Sequence, residues 1–268
     1  MCSSDLEEAS LPIAFESRLQ DEDLARANLA NDLKTAIQRG EMSLLLQPVV
    51  AADSQAIHHA RARIVWDHPL YGRISPRPTQ EYLGNDALNH EIANWLLLQI
   101  ADQAQCLRAQ LGYPVPFSAN VSVEWIKQIT KLELSRDRRV AMQVEPDLLI
   151  LEIPEEAVML NPIETAQTLS RLRSLGYRIC LTKFGMGFSS INTIKQMNFD
   201  YIKIDKSFIE QMVDINEENA ICRAIVNICH TIGARTVASG VSDARQARKL
   251  ESIGCQLMYG DWIAPAMT

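Results

Sequence analysis

No stretch of this 268-residue chain is apolar for the roughly 20 residues that a membrane-spanning helix requires, which argues against membrane insertion. Positive charge is also in short supply. Lys and Arg number 26 against 33 Asp and Glu, the formal net charge is −7 and the pI is near 5.3. No basic run is interleaved with aromatics. Nonspecific nucleic-acid binding, which relies on clustered cations to displace counterions, is therefore not expected. The six cysteines (Cys2, Cys106, Cys180, Cys222, Cys229 and Cys255) show no C-x-x-C spacing. Most lie in apolar stretches such as Tyr177 to Leu181, so they read as reduced thiols rather than a zinc site or disulfide framework. The segment Ser3 to Glu8 is polar and acidic, without the basic and apolar regions of a signal peptide. The reading is a cytoplasmic protein.

What is present is an ordinary globular composition, 47% hydrophobic and 22% charged. The length suits one large α/β domain, since barrels of that class commonly run to about 250 residues. Residues 1–17 lack periodicity and read as a flexible leader. From Asp21 to Arg39 the apolar residues Leu24, Ala27, Leu29, Leu33 and Ile37 recur at helical spacing, and Gly40 ends the run. Residues 1–40 are thus expected to be a leader and linker helix, and 41–268 a separate folded domain.

Beyond Gly40, short apolar β-rich runs alternate with helical patterns. Strands are expected at Ser43–Val50, Ala56–Trp66, Phe117–Val121, Leu148–Ile153, Arg178–Thr182, Tyr201–Ile204, Arg235–Ala238 and Cys255–Met258. Helical patterns cover Glu91–Leu111, Pro162–Leu175, Glu217–Ile232 and Asp243–Ile253. This βαβ order implies a parallel sheet. Closure into a (β/α)8 barrel suits the count and length better than an open sheet. No G-x-G-x-x-G follows the first strand, which weakens the dinucleotide-fold alternative.

Chemistry in such barrels sits at the C-terminal ends of the strands. Read in order, those ends carry Arg61 and Arg63, Asn120, Glu152 with Glu155, Thr182 and Lys183, Lys203 and Asp205, Ser239, and Tyr259 with Asp261. His58 and His59 are adjacent on one expected strand, so alternation sends them to opposite faces and a histidine metal site is not expected.

The run Thr182-Lys-Phe-Gly-Met-Gly-Phe-Ser-Ser190, followed by Lys203-Ile-Asp205, resembles the signature of EAL domains, bacterial phosphodiesterases that cleave cyclic di-GMP. The resemblance covers about residues 41–264 in several motifs of fixed order. Leu46-Gln-Pro-Val49 is similar to the family's Tyr-Gln-Pro-Ile, placing Gln47 near the ligand. Trp66, His68 and Pro69 set the register of the naming Glu-Ala-Leu motif, so Arg61 stands where a metal-binding glutamate belongs and Val65 where an arginine contacts the nucleotide. Asn120 and Glu152 match family metal ligands, and Glu155 matches a glutamate that braces a loop. Lys203 matches a lysine that helps orient the attacking water. Thr182 and Lys183 replace two metal-binding aspartates, Ser239 replaces an acidic residue and Tyr259 a glutamine.

The resemblance implies a TIM-like (β/α)8 barrel of EAL type with an antiparallel first strand. The family continues into a final helix that this chain, stopping soon after its last strand, is expected to lack. Against the family pattern, four carboxylates are lost and two cations gained, leaving the site six formal units more positive. Mg2+ and Mn2+ are hard ions bound mainly through carboxylate oxygens, and a pair of them needs several negative ligands. Hydrolysis is therefore not expected. No cofactor is expected either; Mg2+ or Mn2+ would be needed only by an active enzyme. Asn120, Glu152, Lys203 and Asp205 are either relics, with Glu152 paired to Lys203 or Lys183, or still ligand-holding. In the second case Arg61 and Lys183 would take the place of metal against the phosphodiesters. Gly185 and Gly187 retain a loop that couples ligand state to dimerisation in the family. The resulting expectation is a regulatory domain acting on a protein partner or its own upstream sensory domain. The alternatives are a metal-independent cyclic di-GMP receptor and an active phosphodiesterase. A homodimer is expected through residues around 184–200.

Overall fold

The computed structural model describes residues 23–76, 86–123, 125–127, 145–185 and 190–267. Helix α1 (Asp23–Ala36) precedes strands β1 (Met42–Ala51), β2 (Ile57–His68) and β3 (Gly72–Ile74), then helix α2 (Asp86–Leu111) and strand β4 (Phe117–Asn120). A 3-10 turn at Pro146–Leu148 leads into β5 (Leu149–Pro154), α3 (Glu155–Leu160), α4 (Pro162–Ser174) and β6 (Arg178–Phe184). Next come α5 (Ile191–Met197), β7 (Tyr201–Ile204), α6 (Lys206–Gln211) and α7 (Asn216–Ile232). The last elements are β8 (Arg235–Ala238), α8 (Ala244–Ser252) and β9 (Leu257–Met258).

The sheet runs β1-β9-β8-β7-β6-β5-β4-β2-β3, and β1 also pairs with β2, so eight strands close into a barrel with β3 outside. β1 is antiparallel to both of its barrel neighbours, β2 and β9, while the remaining barrel pairs are parallel. This is the EAL-type barrel expected from the sequence, with its first strand inverted. Among the described residues no helix follows β9; instead Met267 bridges back to Leu46 on β1, exchanging backbone hydrogen bonds of 2.7 and 2.9 Å.

Strand alternation explains why the central strands read as continuous apolar runs, for both faces are covered. Val49, Ile150, Cys180, Tyr201, Val237 and Leu257 form one buried cluster about the barrel axis. Their alternates, including Leu151, Ile153, Ile179, Leu181, Ile202 and Met258, pack with helix residues in the main core. Helix α7 contributes Cys222, Ile225, Val226 and Cys229 at three- and four-residue spacing and stops at Gly233, whose φ of +82° suits glycine. Helix α8 starts where the Asp243 carboxylate accepts the backbone N–H groups of Arg245 and Gln246.

Helix α1 does not stand apart from the barrel. Leu29, Leu33 and Ala36 share a small buried cluster with Trp66, Ile74, Leu88 and Ile92. Each leucine so buried contributes about 1.5–3 kcal/mol. The His68 Nε2 lies 3.4 Å from the Asp32 carboxylate, tying the helix to the end of β2. The reading of residues 1–17 lies outside the described residues. No helix among those described is long and apolar enough to cross a membrane.

Candidate functional site

Three strands aim one charged residue each at the same level inside the barrel: Arg61 from β2, Glu152 from β5 and Lys203 from β7. They are 4%, 2% and 6% exposed, so this is a buried ionic layer rather than a solvated rim. Lys203 Nζ lies 2.7 Å from Glu152 Oε2, and Arg61 Nε lies 3.9 Å from the same oxygen. The Ser118 hydroxyl donates a further hydrogen bond to that carboxylate. The Tyr259 ring takes the Arg61 guanidinium at 4.9 Å and the Lys203 ammonium at 5.0 Å, both within cation–π reach. Burial alone would raise the Glu152 pKa, but Lys203 and Arg61 overcome it and hold the carboxyl at about 2. Lys203 is raised despite its burial, because Glu152 favours the ammonium form.

Above this layer the barrel mouth opens into a depression of about 490 Å³, part of it open solvent. Gln47, Arg61, Lys183, Lys203, Asp205 and Tyr259 line it, together with Thr182, Lys206 and Ser239. Four of these are cations. The one acid, Asp205, caps α6 by accepting the Ser207 N–H at 3.0 Å. Gln47 donates to the Ala264 carbonyl at 3.1 Å, and Ser239 donates to the Ile204 carbonyl at 2.8 Å. Asn120 ends β4 opposite Glu152 in the strand register and is not among the lining residues.

Lys183 does not pair with Glu152, as one expectation had it. Its ammonium lies 3.6 Å from Glu156, at the start of α3. Its backbone is left-handed, with φ of +58°, at an irregularity in the β6–β7 register between Leu181 and Phe184. That turn sends its side chain away from the buried carboxylate. Two residues on, the Gly185 N–H donates to Glu155 Oε2 at 3.2 Å, joining the loop after β6 to the end of β5. Gly185 has φ of +103°, and a Cβ there would lie 3.1 Å from the Phe208 ring. Gly187 lies outside the described residues.

The side chains that the resemblance would assign to divalent metal do not fit such an ion. Of the donors present, Glu152 is already saturated by an ammonium at 2.7 Å, and Asn120 brings no charge. The positions where further carboxylates would be needed hold Arg61, Thr182, Lys183 and Ser239. No group of three or more His, Cys, Asp or Glu among the described residues is arranged to hold a metal ion.

The opposite end of the barrel corrects a second expectation. His58 and His59 do not face apart: their rings lie edge to face with centroids 5.2 Å apart. The β1–β2 register shifts between Val49, opposite His59, and Val50, opposite Ile57, leaving His58 as the extra residue of a bulge. Sequence reasoning also passed over Lys206, which follows the capping Asp205, and Ser118, which the strand register sets beside Arg61.

Comparison with known proteins completes the description of the site. The profile of the EAL domain family matches residues 30–266. The bifunctional diguanylate cyclase/cyclic di-GMP phosphodiesterase MucR of Pseudomonas aeruginosa is 27% identical over 246 residues, 92% of this chain and 36% of that protein. An uncharacterized signaling protein of Caulobacter vibrioides is 29% identical over 246 residues, 92% of this chain and 30% of that protein. Among solved structures, the PaMucR phosphodiesterase in complex with c-di-GMP superposes with a TM-score of 0.81 at 28% identity, covering 90% of this chain and 97% of that one. The chain spans about a third of the length of these two relatives.

Proposed function

The chain belongs to the EAL domain family, and from that premise we propose a regulatory domain of bacterial cyclic di-GMP signalling that performs no two-metal hydrolysis and acts through a protein partner. The observation that carries the reading is the Lys203 ammonium seated 2.7 Å from Glu152, with Arg61 beside it. A carboxylate committed to two cations is a poor ligand for a third positive ion, and the adjoining strand ends supply arginine, lysine and neutral hydroxyls. The partner is another protein or an upstream sensory module of the same polypeptide, and self-association would run through residues around 184–200.

A second reading has a specific observation in its favour. Four cations line the mouth, and the relative of solved structure is described as a complex with c-di-GMP. In that reading Arg61 and Lys183 meet phosphodiester oxygens directly, and the domain is a metal-independent receptor. A third reading, a working phosphodiesterase with a rebuilt site, draws on the relatives described as phosphodiesterases.

Calorimetry with cyclic di-GMP, in EDTA and in Mn2+ or Mg2+, separates the three. The partner reading expects no saturable heat in either condition and no release of linear dinucleotide. Affinity that persists in EDTA and falls on Arg61→Ala would establish the receptor instead. Metal-dependent turnover would overturn both.

A further inference from the structure

The barrel floor, remote from the mouth, carries a hydrogen-bonded chain whose proton positions follow from the donors alone. His58 Nε2 lies 3.0 Å from the Arg235 guanidinium, and His58 Nδ1 lies 2.9 Å from His59 Nδ1. A guanidinium only donates, so His58 Nε2 accepts. A neutral imidazole has one ring proton, which for His58 must then sit on Nδ1. It is donated to His59 Nδ1, and this confines the His59 proton to Nε2. One tautomer of each ring completes the chain.

Arg235 opens β8 and His58 lies on β2, and in the sheet these strands are separated by β9 and β1. The contact is therefore a brace across the bottom of the barrel rather than a link between neighbouring strands. Tyr201 of β7 packs its ring against both histidines at 5.8 and 6.3 Å, and Arg178 of β6 donates to the Tyr201 hydroxyl at 3.3 Å.

We propose that His58 is a proton-operated latch: neutral, it holds Arg235 across the barrel floor; protonated, it sets an N–H against the guanidinium and releases it. This inference does not rest on the proposed function.

The surroundings are consistent with that behaviour. Burial, then Arg235, then Arg178 hold His58 below its ordinary 6.5. For His59, burial acts first, then His58, and the ring is held at about 3. Glu152 of β5 pulls the other way on His59, while Lys203 of β7 and Arg61 of β2 add to the lowering. Asp200 and Asp147 act on Arg178 from the far side. His59 thus stays neutral while His58 titrates. The strands of the latch also carry the buried layer, since Arg61 follows His59 by two residues and Lys203 follows Tyr201 by two.

Ring nitrogen NMR of this chain from about pH 8 to about pH 5, where histidines titrate, tests the latch. The expected result at the upper pH is the Nδ1–H tautomer for His58 and Nε2–H for His59. On acidification His58 alone gains a second proton, with a midpoint below 6.5, and the Arg235 amide shifts with the same midpoint. In Arg235→Ala, an exposed substitution, the His58 midpoint rises by about 0.5–1 unit as a nearby cation is removed. An Nε2–H tautomer for His58 in the parent overturns the inference, as does a midpoint that Arg235→Ala leaves unmoved.

Discussion

Lys203 and Glu152, on strands two places apart in the barrel, meet at 2.7 Å with both side chains almost wholly out of solvent. A buried pair of this kind contributes little over an apolar substitute, but removing one partner leaves a charge uncompensated. Lys203→Met should therefore cost about 3–5 kcal/mol in urea unfolding, tempered by Arg61 at 3.9 Å. The double variant Lys203→Met, Glu152→Leu should lie closer to the parent than that single change. A double variant as unstable as the sum of its parts would contradict the pairing.

Acid should weaken the domain in two overlapping steps. His59 has its pKa depressed from 6.5 to about 3, so the unfolded chain takes up its proton first; stability is full above 6.5 and declines as pH falls toward 3. Glu152 is depressed from 4.5 to about 2, and its contribution is full above 4.5 and lost as pH falls toward 2. Both slopes have the same sign. A urea midpoint that stays flat from 6.5 down to 4.5 would remove the histidine step.

Divalent metal offers a third test. Mg2+ or Mn2+ should not shift the thermal midpoint of the parent chain. The combined change Arg61→Glu, Thr182→Asp, Lys183→Asp, Ser239→Glu restores four oxygen donors, and Mn2+ should then raise the midpoint in a concentration-dependent way. A parent stabilised by Mn2+ to the same extent would refute the reading of the site.

Two glycines should respond differently to alanine. At Gly260 a Cβ would lie 2.2 Å from the Val241 backbone, which cannot yield without moving the chain. Gly260→Ala should cost about 3 kcal/mol or more. Gly233 ends α7 at φ of +82° with nothing within 4 Å of an added Cβ. Gly233→Ala should cost only the left-handed strain, about 1–2 kcal/mol. Thermal unfolding of the two variants checks the order.

The barrel was legible from sequence because its strands are buried on both faces and so read as apolar runs of β-formers, as at Leu148–Ile153 and Tyr201–Ile204. Helix α7 was legible through its spacing and its terminal Gly233. The short helices α3, α5 and α6 were not, having six or seven residues each. Periodicity cannot act over so few positions, although Ser190 and Asp205 were visible capping residues. β3 is three residues of hairpin held by the Arg73–Asp67 pair at 2.7 Å, again too short for alternation. At the site, strand ends named the residues of the mouth, but side-chain direction escaped. Lys183 turns to Glu156 because of a left-handed backbone, and His58 joins His59 because of a bulge, and neither feature has a composition signal.

The left-handed residue at the end of β6 has one more consequence. Short carboxylates and amides adopt that conformation several-fold more often than long side chains do. The main chain at Lys183, with φ of +58°, therefore keeps a contour that favours an aspartate over the lysine it bears. Side-chain exchange alone, with no redrawing of the strand, separates the present surface from an acidic one, and an acidic substitution at this position should relax the polypeptide rather than burden it.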